Sequence, residues 1–240
     1  MSYISYIWLI LCILSMLIII FHIVKHPQHM KIMNYVWPIN ALWGGPLILW
    51  AYFTLGIHRH MMHMHKSMKN ENNMNMQNMS SSQNSSVLKN KYQKFWQGIV
   101  VDALHCGAGC SLADLIGSFV FFYLIPFSIA GQSIFGEWVF DYFLALITGV
   151  FFQYEAIRPM SNGSDAKIWI KAFKVDFWSL TSWQVGMYGW SAITHFIFHM
   201  HYMPTSPIFW FMMCIGMLCG FITAYPTNWL LVKLHVKQGM

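Results

Sequence analysis

Charged residues are scarce in this chain: only 9% of its 240 residues are Asp, Glu, Lys or Arg, against roughly 25% in soluble domains. Since 57% of the residues are hydrophobic, the chain is not a soluble globular domain. The 14 basic residues are scattered and form no stripe, which argues against nucleic-acid binding. The chain also lacks a Walker-type phosphate loop, an HExxH motif and any soluble catalytic region. An enzymatic role is therefore the less favoured one.

The start of the chain lacks the basic region and the small-residue cleavage site of a secretory signal peptide. Its apolar run is therefore expected to remain as a first membrane span. All five cysteines lie in apolar segments, which argues against an extracellular disulfide framework. They are Cys12, Cys106, Cys110, Cys214 and Cys219.

Six segments are long and apolar enough to approach the 20 or so residues that a membrane-spanning helix needs. The expected fold is an all-α polytopic transmembrane helix bundle of about six spans, in contact with the lipid bilayer. The spans are 6–24, 35–57, 95–126, 138–157, 173–198 and 208–232. They form a two-helix N-terminal part (1–57) and a four-helix unit (95–240), joined by a linker (58–94).

Lys and Arg cluster after the second and fourth spans and at the C terminus, where the positive-inside rule predicts cytoplasmic segments. This count predicts a bacterial inner-membrane protein with both termini and the linker in the cytoplasm. Lys25 and Lys31, which follow the first span, are exceptions to it.

The linker is polar and contains few branched apolar residues, so we expect it to be disordered. Its first part interleaves His and Met, a composition typical of metal binding and, through the thioethers, of Cu(I). The alternative is compositional drift in an unconstrained tether. The residues concerned are His58, His60, His63, His65, Met61, Met62 and Met64.

The third span carries the most informative stretch, VDALHCGAGCSLAD at 101–114. In a helix, Asp102, Cys106, Cys110 and Asp114 form one stripe, with His105 beside it. Ionisable groups in a span usually face the bundle interior or a cavity. Thiolates select Cu(I) and also suit Zn(II), and the carboxyl and imidazole groups are further candidate ligands. The alternative is that small Cys and Gly residues only allow tight helix packing.

Two groups of histidines end the first and fifth spans. In a six-span topology both groups lie on the outer face, so they are predicted to converge on an ion entrance. The alternative is that these histidines simply meet lipid headgroups. The groups are His22 and His26, and His195, His199 and His201.

The fifth and sixth spans hold further candidates for a cation pathway. Asp176 and Gln184 would accompany the third span, or would serve as hydrogen-bonding glue between helices. Met213, Cys214 and Met217 would suit a soft cation in transit. The alternative for these methionines is that they fill gaps between helices.

Four stretches of the sequence together resemble one bacterial membrane family, catalogued as domain of unknown function 4396. They are HCGAGCSLADLIG at 105–117, FQYEAIRPM at 152–160, DFWSLTSWQVGMYGW at 176–190 and FWFMMCIGMLCGFITAYPTNWLLV at 209–232. The resemblance covers residues 94–240 and implies a polytopic inner-membrane protein, but it supplies no reaction. Trp43, Gly44, Gly45 and Pro46 resemble the lead-in of longer members, whereas the linker is not part of the family pattern.

The leading hypothesis is an integral membrane protein that binds and translocates, or otherwise handles, a soft transition metal. Copper is the first candidate and zinc the second, with the Cys/His/Asp site of the third span as its centre. One alternative is a membrane redox protein, with His105 and His195 as haem ligands or with thiols that react with quinone. The other is a non-catalytic membrane assembly protein. A homo-oligomer is compatible with all three.

Overall fold

The structure, a computed structural model, describes residues 2–28, 30–56, 95–158, 164–198 and 203–234. These residues form six long helices and no strand, as expected of an all-α bundle. Two of the helices, α2 and α5, continue into π-helical turns at Tyr52–Gly56 and Ile193–Ile197. The helices are α1 (Ser2–Lys25), α2 (Met33–Ala51), α3 (Phe95–Tyr123), α4 (Ser133–Ile157), α5 (Asp165–Ala192) and α6 (Pro207–Lys233).

Four of these helices, α1, α3, α4 and α6, are long and apolar enough to cross a membrane. Large apolar side chains are exposed on the outside of the bundle, as contact with lipid requires. The α5 helix begins at Asp165, earlier than the sequence predicts, and its first turns contain Lys167, Lys171 and Lys174. These charges lower its hydropathy, although it packs along both α4 and α6.

The second predicted span is not a straight helix. Gly45 has a φ of 48°, a left-handed conformation that glycine adopts readily. The chain reverses there. The rings of Trp37 and Tyr52, on opposite sides of Gly45 in the sequence, lie 5.4 Å apart, which a straight helix does not allow. Each half is at most about 18 Å long, well short of the roughly 30 Å hydrocarbon core of a bilayer. Residues 33–56 therefore form a re-entrant hairpin, and this corrects the predicted second span.

The tip of the re-entrant hairpin lies inside the bundle. The ring of Trp43 meets that of Trp183 edge-on at 5.9 Å. The Cys12 thiol donates to the Trp43 carbonyl at 3.8 Å and the Cys214 thiol to the Leu42 carbonyl at 3.9 Å. The hairpin tip thus connects α1 to the four-helix unit. Non-helical backbone at this depth is tolerated only where protein surrounds it.

The open side of the hairpin lies beside the C-terminal end of α1, where His22 Nδ1 is 2.9 Å from the Tyr52 hydroxyl. On the way to the tip, the Asn40 side-chain amide donates to the Leu104 carbonyl of α3 at 2.9 Å. Trp43, nearer the tip, contacts Trp183, whose ring occupies the space beside Gly107 further along α3. The hairpin therefore enters the bundle in the direction in which α3 runs.

Helices α3 to α6 run antiparallel to one another in sequence order. Helices α3 and α4 approach each other closely, since a Cβ atom at Gly109 would lie 2.8 Å from the Gly149 Cα. Between α5 and α6, Ser182 Oγ donates to the Thr223 carbonyl at 2.8 Å and Thr223 Oγ1 to the Ser182 carbonyl at 2.7 Å. Small residues and interhelical hydrogen bonds are the usual means of packing helices in lipid.

This path gives the bundle two distinct ends. One end, called the vestibule end after a cavity that opens there, holds the start of α1, the loop 124–132 and the junction of α5 with α6. The linker end holds the open side of the hairpin, the start of α3, the junction of α4 with α5 and the end of α6. The first and last described residues consequently lie at opposite ends, whereas a six-span path would put them on the same side.

Candidate functional site: a buried thiol and carboxyl line

The stripe on α3 lies in the interior of the bundle. The side chains of Asp102, Cys106, Cys110 and Asp114 are all buried, and so is the neighbouring His105. Ionisable groups in a membrane interior are costly to keep, so this row is the candidate functional site of the described chain.

The centre of this line is a contact between α3 and α5. The Cys106 thiol donates a hydrogen bond to Asp176 Oδ1 at 3.0 Å, and Asp176 is only 1% exposed. Helix α4 also meets this contact, at Gly149. A Cβ atom at Gly149 would collide with the Asp176 carboxyl group. Gly149 therefore admits both the α3 backbone and the carboxyl group.

The line continues from Cys106 toward the vestibule end. Cys110 lies within electrostatic range of Cys106, Asp114 and Asp176. Neither carboxyl oxygen of Asp114 has a hydrogen-bond partner among the described residues. An unsatisfied buried polar group costs on the order of several kcal/mol in lipid. Asp114 is therefore a candidate functional residue, since packing alone does not explain a buried carboxyl group of this kind.

Two carboxyl groups of the site were missed by the sequence reasoning. Glu137 and Asp141 lie one turn apart on α4 and interact electrostatically with each other and with Asp114. Asp141 approaches α3 at Gly117, where a Cβ atom would collide with its Oδ1. Two carboxylates at i and i+4 in an apolar segment are a signal that the sequence does contain.

The line opens into a cavity of about 450 Å³ at the vestibule end, between α3, α4, α5 and α6. We call this cavity the vestibule. Polar side chains of the lining are Ser133, Glu137, Asp141, Ser191, Thr194 and His195. The rest of the lining is mainly aromatic and thioether groups, including Phe121, Trp138, Tyr188, Trp190, Phe209, Met187, Met203, Met212 and Met213.

The other predicted pathway residues of α5 and α6 do not line one common path; each lies in a different part of the bundle. Gln184 is buried, and neither its side-chain nitrogen nor its oxygen has a hydrogen-bond partner among the described residues. Met213 lines the vestibule, whereas the Met217 sulfur accepts from Ser111 Oγ at 3.8 Å in the interior. Cys214 points to the hairpin tip, where its thiol contacts that of Cys12.

The predicted convergence of the two histidine groups does not occur in the described part of the chain. His22 and His26 lie at the linker end, with ring centroids 5.0 Å apart, whereas His195 lines the vestibule at the other end. The reason is the re-entrant hairpin, which reverses the side on which α1 ends. His199 and His201 lie outside the described residues.

The two candidate haem ligands are also far apart along the bundle. The His105 ring lies in the interior against Phe152, with centroids 6.2 Å apart, and His195 lies in the vestibule wall. They do not face each other across one space, so the described chain does not bring this predicted pair of haem ligands together.

The predicted ligand set of the linker lies outside the described residues: His58, His60, His63, His65, Met61, Met62 and Met64. Within the described ranges, no three His, Cys, Asp or Glu side chains are grouped so as to hold a metal ion.

Residues 95–237 match the model of the family described as Domain of unknown function (DUF4396). Since the match covers more than half of the chain, the chain belongs to this family, and the resemblance drawn from the motifs is confirmed. The match includes α3 to α6 and leaves out α1 and the re-entrant hairpin. Comparison with curated proteins and with solved structures finds no significant match.

Proposed function

Taking the chain as a member of this family, we propose that it binds and moves a soft transition-metal cation, with copper as the first candidate and zinc as the second. The supporting observation is the 3.0 Å hydrogen bond from the Cys106 thiol to Asp176 Oδ1. A metal binds the thiolate and not the thiol, so binding releases a proton. Asp176 accepts the thiol hydrogen and is the natural acceptor for that proton. Cys110, one turn along the same face, supplies a second thiolate.

The carboxyl groups provide the path by which the cation reaches the thiols. Negative charge lowers the cost of a cation in the low-dielectric interior of the membrane. Asp141 and Asp114 connect the vestibule to Cys110, and His105 and Asp102 continue the line toward the linker end. The His/Met tract of the linker collects ions at that end.

For the membrane we propose the bacterial inner membrane, with the linker end in the cytoplasm. The 14 Lys and Arg residues all belong to helix ends at the linker end or to the sequence segments joined to it. Such a one-sided distribution is what the positive-inside rule requires of cytoplasmic segments. Lys25 and Lys31 then follow the rule. The C terminus stays in the cytoplasm, but the N terminus is on the opposite side, which revises the expectation of two cytoplasmic termini.

Metal analysis of detergent-purified protein tests the metal proposal. After growth in medium supplemented with copper or zinc, the wild type is expected to retain about one metal ion per chain, and the Cys106→Ser/Cys110→Ser double variant none, because thiolates are the preferred ligands of soft ions. Cys219→Ser is the matched control, and it should retain the metal. Equal, negligible metal in the wild type and the double variant would contradict the proposal and favour an assembly role.

Labelling with a membrane-impermeant maleimide tests the orientation. In intact cells, a cysteine at Ser128 in the loop 124–132 is expected to react, and one at Ser164 in the junction of α4 with α5 only after permeabilisation. Tyr3→Cys decides the position of the N terminus, because it should react as Ser128→Cys does. Labelling of Tyr3→Cys only after permeabilisation would restore two cytoplasmic termini.

A further inference from the structure

The vestibule has features that a metal pathway does not need, namely aromatic walls and a large volume. We propose that it is a binding site for a small organic cation, of the ammonium, pyridinium or phosphonium class, that enters from the side opposite the linker. The Asp141 carboxylate in the aromatic cavity is the recognising group. This site is separate from the Cys106–Asp176 pair and does not depend on the metal proposal.

The size of the vestibule favours an organic ligand. Its volume is about 450 Å³, within the range of roughly 300–1,000 Å³ that small-molecule sites occupy. A dehydrated metal ion would fill only a small part of such a space. Among the described side chains around it, no three His, Cys, Asp or Glu groups lie close enough together to hold a metal ion.

The carboxyl groups of the vestibule favour a cation. Asp141 lines the cavity and is 4% exposed, and its Oδ1, which lies against Gly117 of α3, has no hydrogen-bond partner among the described residues. Glu137 adds a second carboxyl group on the same face, one turn earlier. The described residues of the lining include no Lys or Arg, because the basic residues belong to the other end of the bundle. Among the described residues of the lining, the His195 imidazole is the one basic group beside these carboxyl groups.

The aromatic walls of the vestibule are held in fixed orientations. The rings of Trp138 and Tyr188 are stacked, with centroids 5.2 Å apart and 13° between their planes. The Tyr188 hydroxyl donates to the Trp138 carbonyl at 2.8 Å, and the Trp190 indole N–H to the Met212 carbonyl at 3.1 Å. Aromatic faces attract organic cations through their quadrupoles. The methionines of the lining adapt to ligands of different shape.

Equilibrium dialysis of the purified full-length protein with labelled tetraphenylphosphonium tests this proposal. Tetraphenylborate, an anion of the same shape, controls for partition into detergent. The cation is expected to bind saturably and the anion not. Asp141→Asn should weaken cation binding by about tenfold or more, since an amide cannot ionise beside the bound cation. Glu155→Gln, at the other end of α4, is the matched control and should bind as the wild type does.

Glu137→Gln is a second test, and it should weaken binding less than Asp141→Asn because Glu137 is less buried. The Cys106→Ser/Cys110→Ser variant should bind the probe normally, which separates this site from the metal proposal. Equal binding of the cation and the anion would overturn the inference. Unchanged cation binding in a folded Asp141→Asn protein, checked by gel filtration, would overturn it as well.

Discussion

Two buried aspartates in the same helix bundle have quite different surroundings. Asp176 accepts a hydrogen bond from the Cys106 thiol in a closely packed interior. Asp141 lines a cavity, and one of its oxygens has no partner among the described residues. The difference shows that burial alone does not tell whether a carboxyl group in a membrane protein is paired or lines a cavity. The interior aspartate is paired with a thiol of a neighbouring helix, whereas the vestibule aspartate lines a cavity.

Glycine makes the interior pair possible. At Gly149 a Cβ atom would collide with Asp176 and would also come within 2.9 Å of Leu180. Gly109 and Gly149 let the backbones of α3 and α4 meet. Close backbone approach of this kind is typical of helix contacts in lipid. The interior is thus held by packing, and the vestibule is the place where the same four helices separate.

A large effect is expected from overfilling the α3–α4 contact. Gly109→Ala should lower the stability in detergent by about 1–3 kcal/mol, because its Cβ would lie 2.8 Å from the Gly149 Cα. Gly189→Ala is the control, since a Cβ there meets nothing within 4 Å. Thermal unfolding followed by circular dichroism measures both. Equal midpoints for the two variants would mean that the helices are not in close contact.

The two aspartates can be compared directly. Asp176→Asn should cost about 1.5–3 kcal/mol, because it weakens a buried hydrogen bond to a charged group. Asp141→Asn should leave the stability unchanged or raise it, because it replaces a buried carboxyl group that has an unpaired oxygen. The same thermal assay distinguishes them. A larger loss in Asp141→Asn than in Asp176→Asn would invert the comparison.

The contact between the hairpin and α3 is expected to stabilise the bundle interior without affecting ligand binding in the vestibule. Asn40→Ala removes hydrogen bonds to the Leu104 and Val36 carbonyls, at 2.9 and 2.7 Å. It should cost about 1–3 kcal/mol and lower metal retention, while probe binding in the vestibule stays. Asn34→Ala, which loses one hydrogen bond from the Gln28 N–H at the linker end, should have a smaller effect. Loss of probe binding in Asn40→Ala would show that the two regions are coupled.

The smallest effect is expected in the vestibule wall. Tyr188→Phe keeps the ring stacked on Trp138 but loses the 2.8 Å hydrogen bond to the Trp138 carbonyl. It should cost about 0.5–1.5 kcal/mol and should weaken tetraphenylphosphonium binding only a few-fold, because the aromatic face remains. Dialysis and thermal unfolding measure the two effects. Complete loss of probe binding would mean that the hydroxyl itself contacts the cation.

Much of the helical layout could be predicted from the sequence, because apolar length is a local property. Helices α3 and α6 cover the predicted spans closely, and the stripe from Asp102 to Asp114 is buried as its spacing requires. The same reasoning counted residues 35–57 as a span because an apolar hairpin has the composition of an apolar helix. The sequence Gly44-Gly45-Pro46 in its middle was a signal of the reversal.

The candidate site was only partly predictable for a related reason. The α3 residues were found since they share one helix, and helical periodicity brings them to one face. The partners of that face come from other helices: Asp176 from α5, and Glu137 and Asp141 from α4. Pairing between helices depends on their register, which single-helix periodicity does not contain.

The sequence by itself determined that this is a helical membrane protein of its family, with polar groups on one face of α3. Composition and period decide those properties, because the bilayer demands apolar length and satisfied backbone hydrogen bonds. Only the tertiary structure decided that the second segment turns back, that Cys106 meets Asp176 and that the vestibule opens beside Asp141. Those features arise from contacts between segments that are distant in the chain, and their geometry depends on how the helices pack.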